Sequence, residues 1–338
     1  MKEMIYGVDL GWANQLESMG YRWLDGKGQE TDLLAASAEF GVNAVRLRVF
    51  VNPPAEAIWK KREDETCMLG FCDAESVLEM SRRVKACGMK LMIDFHYSDH
   101  FADPVFQDIP DAWKGEDDRQ LEQRVYEHTR EVLQLLADHG IVPDWVQVGN
   151  EINHGILETR GSLEKSPAQM VRFLNAGYDA VKEVCPECQV VTHLASVCSE
   201  EECEPFWENF FENSGKTDIM GFSYYPYWEH FESDSGRLAE YLKRYSAKYR
   251  KPVLIAEVGG LEDDEEGTYQ IVKDCIEAMK TMEDQQELAV FYWEPEVASQ
   301  VLPDHYPLGA AKLVAEKTLQ YNRALAAYRD DQYNGKKE

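Results

Sequence analysis

The stretch Cys87-Gly88-Met89-Lys90-Leu91-Met92-Ile93-Asp94-Phe95-His96 decides the fold. Before it, Glu75 to Cys87 has helical periodicity, with Val77, Leu78, Met80, Val84 and Cys87 roughly on one face. A glycine then ends the helix, because only glycine takes the left-handed terminal position at no steric cost. A short link leads into an apolar run that carries Asp94 and His96 at its far end. The same order of helix, glycine, link and strand recurs at Phe40-Gly41-Val42-Asn43 and at His139-Gly140-Ile141-Val142.

Working outward, eight strand-like runs emerge. They are Ile5 to Asp9, Ala44 to Phe50, Lys90 to His96, Asp144 to Asn150, Gln189 to Ala195, Asp218 to Tyr224, Val253 to Glu257 and Ala289 to Trp293. Between them lie further amphipathic segments at Leu121 to Leu136, Pro167 to Val184, Leu238 to Tyr249 and Tyr269 to Met282. Strands alternating with helices imply a parallel sheet, since parallel neighbours need a crossover. Eight such units in 338 residues predict an α/β fold of the (β/α)8 TIM-barrel type, as a single domain. Residues 1–328 are expected to form the barrel and 329–338 a polar C-terminal tail that frays. An open sheet would call for a nucleotide fingerprint, and the glycines between Gly20 and Gly28 follow no strand in the required register.

Composition narrows the function. Acidic residues outnumber basic ones 62 to 35, a formal charge of −27, which repels phosphate backbones and anionic lipid. Nucleic acid and membrane partners are therefore not expected, and a neutral ligand fits best. No run approaches the roughly 20 apolar residues of a membrane span. Lys2 is the only basic residue before Glu3 and the first apolar run reads as a strand, so no signal peptide is read and a cytoplasmic setting is expected, with secretion as the alternative. In that setting the eight cysteines are expected as reduced thiols. Cys185, Cys188, Cys198 and Cys203 have a spacing that zinc sites also use, weighed against four incidental thiols in a helix-to-strand segment. The incidental reading is preferred, and neither a metal nor a cofactor is expected.

In a (β/α)8 barrel the chemistry sits at the C-terminal ends of the strands. The residues closing these strands are Asp9, Arg46 and Arg48, Asp94 and His96, Asn150 and Glu151, His193, Tyr224 and Tyr225, Glu257, and Trp293 and Glu294. Two glutamates end unusually apolar runs, Val146-Gln147-Val148-Gly149-Asn150-Glu151 and Val253-Leu254-Ile255-Ala256-Glu257. A carboxyl placed there is costly unless its charge or proton is used. Two of them supply the acid and base of glycoside hydrolysis; the competing reading is that each caps a helix or pairs with Arg46 or Arg48.

Several stretches give the chain a specific resemblance. They are Asn43-Ala44-Val45-Arg46-Leu47-Arg48-Val49-Phe50-Val51-Asn52-Pro53, Asp94-Phe95-His96-Tyr97-Ser98-Asp99 with Ala102-Asp103-Pro104, and Pro110-Asp111-Ala112-Trp113. Further along come Gly149-Asn150-Glu151-Ile152-Asn153, Gly221-Phe222-Ser223-Tyr224-Tyr225-Pro226-Tyr227-Trp228 and Phe291-Tyr292-Trp293-Glu294-Pro295. In this order they resemble glycoside hydrolase family 53, the arabinogalactan endo-β-1,4-galactanases, retaining enzymes on a barrel. The resemblance implies Glu257 as nucleophile and Glu151 as acid/base, with the carboxyls about 5 to 5.5 Å apart. It further implies Asn150 bonding the sugar 2-hydroxyl and Arg46 or Arg48 keeping Glu257 ionised. Tyr224 would orient Glu257, Trp293 would floor the pocket, and His96 and His193 would line it as donors, with satisfied core histidines as their alternative. Asp9 completes the supporting set.

The departures concern flanking loops. Gly155-Ile156-Leu157-Glu158-Thr159-Arg160 stands where the family carries a tryptophan-proline pair, and Phe101 and Val297 replace tryptophans. Val258 replaces a threonine, and His193-Leu194 leads into Ala195-Ser196 without an acidic residue. The loop after Glu257 is short, and its Asp263 to Glu266 reads as a solvated acidic run instead of the calcium loop of some relatives. The substrate expected is a neutral oligo- or polysaccharide, foremost β-1,4-galactan or arabinogalactan. The alternatives are a relative with shortened subsites acting on short β-galactosides, and a carbohydrate-binding barrel without turnover.

Overall fold

A computed structural model describes residues 3–334. Eight parallel strands close into a barrel: β1 (Glu3–Asp9), β2 (Ala44–Val49), β3 (Lys90–Phe95), β4 (Trp145–Val148), β5 (Gln189–Leu194), β6 (Ile219–Tyr224), β7 (Val253–Val258) and β8 (Glu287–Tyr292). All eight expected runs are barrel strands, each paired with its sequence neighbours, and β1 closes the ring on β8. A helix follows each strand: α1 (Leu33–Glu39), α2 (Ala74–Ala86), α3 (Asp118–Asp138), α4 (Pro167–Val184), α5 (Glu200–Glu212), α6 (Ser235–Tyr249), α7 (Glu265–Lys280) and α8 (Ala326–Asn334). Aspartates cap several of these helices; Asp117 and Gln120 form a reciprocal capping box at the start of α3. Gly41, Gly88 and Gly140 have φ of 89°, 71° and 73°, the left-handed conformation that the helix–glycine–strand pattern requires.

Two apolar layers follow from strand alternation. One face of each strand joins the helices in a large core; the other fills the barrel with Ile5, Ala44, Met92, Trp145, Val191, Ile219, Leu254, Ala256, Ala289 and Phe291. Two residues further along, the inward positions turn polar. Ala44 is followed by Arg46 and Arg48, Met92 by Asp94 and His96, Trp145 by Gln147, and Val191 by His193. The barrel thus carries an apolar plug below and a polar mouth above.

β7 breaks this alternation where it matters. With Leu254 and Ala256 pointing inward, a regular strand would send Glu257 out among the helices. Its register shifts instead, from Phe222 opposite Ile255 to Ser223 opposite Glu257, and from Ile255 opposite Val290 to Val258 opposite Tyr292. The extra residue re-aims Glu257 into the mouth, a use of strand irregularities common beside active sites.

The loops at the same end hold structure that periodicity did not announce. A hairpin, Ile58–Arg62 with Glu65–Met68, fills the connection from β2 to α2. A second sheet joins Arg22–Leu24 and Glu30–Thr31, after β1, to Ala311–Ala315 and Thr318–Tyr321, after β8. The expected fraying tail is corrected as far as Asn334, because Arg329 lies inside α8. The reason is polar docking: Asp331 accepts from Tyr6 at 2.7 Å and also meets Lys280, while Gln332 donates to the Gly41 carbonyl at 2.6 Å. Residues 335–338 of that tail lie outside the described residues.

All eight cysteines are free thiols, and all but Cys87 are buried. Cys188 and Cys203 donate to the carbonyls of Pro143 and Ala195. Among the described residues no group of three or more His, Cys, Asp or Glu side chains is placed to hold a metal ion. Three residues of the acidic run that opens α7 are engaged: Asp264 caps the helix, Glu265 meets Lys312 and Glu266 meets Arg323. Among the described residues no helix is long and apolar enough to cross a membrane.

The barrel interior has no spare room at Gly7, where an added Cβ would lie 2.1 Å from the Phe291 ring, itself packed edge-on against Trp145. Gly7→Ala is expected to cost about 1–3 kcal/mol by overpacking. Chemical denaturation checks this, with the midpoint falling and the slope unchanged.

Candidate active site

A cavity of about 560 Å³ opens at the C-terminal ends of the strands. Glu151 and Glu257 both line it, with Asn150, His96, Tyr225 and Trp293. The hairpin adds Trp59 and Lys61 to one wall, and the loop after β8 adds Asp304 and Tyr306.

Arg46 organises this mouth. Its guanidinium is 1% exposed and contacts Asp9 at 2.5 Å, Asp94 at 2.9 Å and Glu257 at 3.0 Å. It also donates to Asn150 Oδ1 at 2.8 Å and to Gln147 Oε1 at 3.1 Å. A buried cation is tolerated only when its donors are matched in this way. Tyr225 donates to the second oxygen of Glu257 at 3.0 Å. Burial pushes the Glu257 carboxyl above its ordinary value; Arg46 opposes that rise most strongly, Asp94 adds to it, and the Tyr225 hydroxyl again opposes it. The contacts on Glu257 therefore favour its ionised form.

Glu151 has a different environment. It follows Gly149 (φ 82°) and Asn150 and itself adopts φ 46°, a left-handed conformation that costs a non-glycine residue about 1–3 kcal/mol. That turn swings its side chain from the end of β4 into the cavity, where Ser223 Oγ lies 2.6 Å from Oε1. Among the described residues no cation forms an ion pair with it. Burial, followed by the neighbouring charge of Glu257, holds its carboxyl well above the ordinary range. One glutamate is thus equipped to stay charged and the other to keep a proton, the division that acid and nucleophile require.

A second buried pair stands behind the first. Arg48 meets Glu294 and donates to the Leu69 carbonyl at 2.9 Å. Glu294 also accepts from the backbone of Gly11 at 2.9 Å and of Trp12 at 3.2 Å, fixing the chain just after Trp293. Trp12, Phe101 and Tyr306 pack edge-on against Trp293 at 5.2, 6.2 and 4.8 Å. The ring that would floor a sugar is held on three sides. Glu296, wholly buried, lies against Glu294, and burial together with that charge pushes its carboxyl well up.

The structure brings most of the expected residues together and redistributes their tasks. Of the two arginines, Arg46 takes Glu257 while Arg48 takes Glu294. Asp9 binds Arg46 and Asn150 lines the cavity. Tyr224 does not orient Glu257. Phe222 and Tyr224 face the outer core, where the Tyr224 hydroxyl donates to Ser233 at 3.2 Å and accepts from the Asp234 amide. Tyr225, one residue past the strand, turns inward in its place. His193 is not a pocket donor: it is wholly buried, bonded to Asn150 and Ser223, and burial drives its pKa well below the usual histidine value. His96 reaches the cavity, yet its ring nitrogens serve the protein. Nδ1 accepts from the Ala102 amide at 2.9 Å, which assigns the proton to Nε2 for donation to Asp94. Sequence reasoning missed Gln147 and Ser223 as members; both occupy inward positions that strand alternation identifies.

A closed parallel barrel presenting two glutamates across one cavity, one ion-paired and one not, defines a glycoside hydrolase. The family described as Glycosyl hydrolase family 53 matches residues 5–329, and the chain belongs to that family. A Niallia circulans protein named "Uncharacterized protein in bgaB 5'region" is 30% identical over 321 residues, covering 86% of this chain and 83% of its own. The arabinogalactan endo-beta-1,4-galactanase of Cellvibrio japonicus is 32% identical over 261 residues, covering 74% of this chain and 64% of that protein. The solved Ignisphaera aggregans GH53 catalytic domain superposes with a TM-score of 0.83 at 28% identity, covering 96% of this chain and 95% of that one.

The two adjacent tyrosines separate by substitution. Tyr225→Phe removes a hydrogen bond to a charged group, about 1.5–3 kcal/mol, and is expected to lower kcat/KM by roughly 10- to 150-fold. Tyr224→Phe is expected to leave kcat/KM within about threefold and to act on thermal stability instead. Steady-state kinetics on the two variants checks the assignment; equal losses would contradict it.

Proposed function

We propose that this glycoside hydrolase is an endo-β-1,4-galactanase that cleaves galactan or arabinogalactan with retention of configuration. The observation that carries the mechanism is the asymmetry of the glutamates: Arg46 and Tyr225 hold Glu257, whereas Glu151 is bonded, among the described residues, to the Ser223 hydroxyl. The name of the Cellvibrio japonicus relative supports the substrate. Neutral galactose units also suit a chain of formal charge −27.

In this reading Glu257 attacks the anomeric carbon while Glu151 passes its proton to the departing glycosidic oxygen. A covalent glycosyl ester on Glu257 results. Water then attacks the same carbon, Glu151 takes a proton from it, and the ester bond breaks to free Glu257. Asn150 serves the sugar 2-hydroxyl, with its carbonyl oxygen fixed on Arg46 and its amide free to donate one further hydrogen beyond that given to Ala102. Trp293 offers an apolar face to the pyranose ring.

Purified protein on β-1,4-galactan is expected to lower viscosity well before monosaccharide accumulates. Galactose release without loss of viscosity would shift the reading to a relative acting on short β-galactosides, and inertness on both polymer and oligosaccharides would overturn it. Glu151→Ala is expected to lose about 10²- to 10⁴-fold in kcat on galactan. Glu257→Ala is expected to lose at least as much and to recover in part with azide, yielding the glycosyl azide of inverted configuration. Activity near wild type in either variant would refute its role.

A further inference from the structure

The mechanism above leaves two buried polar residues unused, His193 on β5 and Ser223 on β6. They stand in line with Glu151. His193 Nδ1 is 2.8 Å from Asn150 Oδ1, His193 Nε2 is 2.9 Å from Ser223 Oγ, and Ser223 Oγ is 2.6 Å from Glu151 Oε1. Where the hydrogens in this chain lie follows from what each atom can do.

Asn150 fixes one end. Its Oδ1 accepts from Arg46 at 2.8 Å and from Gln147 at 3.0 Å, and its Nδ2 donates to the Ala102 carbonyl at 2.9 Å, so the amide cannot be turned round. A carbonyl oxygen only accepts, and His193 Nδ1 must therefore carry a hydrogen. The ring also stays neutral. It is wholly buried, no carboxylate bonds to it, and its charged neighbour Arg46 repels a second cation, with His96 the other titratable ring nearby. In a neutral imidazole with Nδ1–H, Nε2 is an acceptor. Its partner is Ser223, whose single hydrogen is thereby spent on His193. The remaining contact, 2.6 Å from Ser223 Oγ to Glu151, then needs a hydrogen from the glutamate.

We propose that Ser223 and His193 are positioning residues that, anchored by Asn150, form a one-way hydrogen-bond chain running from Glu151 through Ser223 to His193 and keeping Glu151 protonated in the resting enzyme. Ser223 accepts from the acid and does not donate to its carboxylate. Among the groups facing Glu151, Glu257 on β7 and Asp103 after β3 disfavour its charge and Arg46 on β2 favours it; Ser223 would favour the charge too if it donated to the carboxylate, but that needs the hydrogen His193 takes. Once the proton passes to the leaving oxygen, the Ser223 oxygen faces the Glu151 carboxylate with its hydrogen still turned to His193. That mismatch favours prompt recapture of a proton from the incoming water.

The proposal takes Glu151 as the acid, and its two tests fail separately. The first is the pH dependence of kcat/KM on β-1,4-galactan for Ser223→Ala. Losing an acceptor for the neutral acid is expected to move the alkaline limb down by about one unit, roughly a tenfold loss above that limb, with the acid limb in place. A serine that donated to the carboxylate would give the opposite sign, and a limb that stays or moves up overturns the proposal. The second test needs neither turnover nor a variant that folds: imidazole ¹⁵N shifts of His193 in the wild-type protein between pH 5 and 8. Nδ1 protonated with Nε2 bare is expected throughout, and a hydrogen on Nε2 overturns the chain even if galactan proves not to be the substrate.

Discussion

A guanidinium sealed inside a barrel must be neutralised where it lies, and Arg46 sets the terms for the mouth of this one. Removing a charge from water costs several kcal/mol even after relaxation, so the residue persists only with its partners in place. Three carboxyls, an asparagine and a glutamine supply them. The acids nevertheless exceed the cations. Asp9, Asp94, Glu257, Glu294 and Glu296 are buried here beside the two buried cations Arg46 and Arg48, and Glu151 lines the cavity with them. Burial pushes the carboxyls of Asp9, Glu151 and Glu296 well up, which favours their protonated forms, with Arg46 opposing the rise at Asp9. Arg46 opposes the rise that burial brings to Glu257, and Arg48 pairs with Glu294. The division of labour between the paired glutamates is thus a consequence of where two cations can be buried.

Backbone irregularity delivers the side chains to this charge pattern. Regular alternation places Arg46, Asp94, Gln147, His193 and Ser223 in the mouth without special devices. Glu257 and Glu151 both depend on exceptions: Glu257 on the register shift in β7, Glu151 on its left-handed turn after β4. Strain of this kind survives because the surrounding barrel over-determines it.

Much of this was legible in the residues. Strand runs, helix-ending glycines and polar strand ends all follow from local chemistry, which is why eight strands and both glutamates could be named beforehand. What escaped depends on side-chain direction at the ends of strands. Tyr224 and Tyr225 look equivalent in sequence, and only the place where β6 ends and the chain turns sends the second one inward. His193 reads as a pocket donor because its strand position is right; its depth below the cavity floor is set by neighbouring strands. The hairpin after β2 was hidden by its half-exposed, charged strands, Ile58–Arg62 above all, which lack a core-facing stripe. The docking of α8 rests on polar contacts from Asp331 and Gln332 to residues more than 50 positions away, which no local pattern reveals.

Neutron diffraction from crystals exchanged into heavy water would locate the protons on the carboxyls around Arg46 directly. The charge distribution described here places a deuteron on Glu151, within its contact to Ser223, and none on Glu257. A deuteron on Glu257 with Glu151 bare would reverse the two roles and contradict the account at its centre.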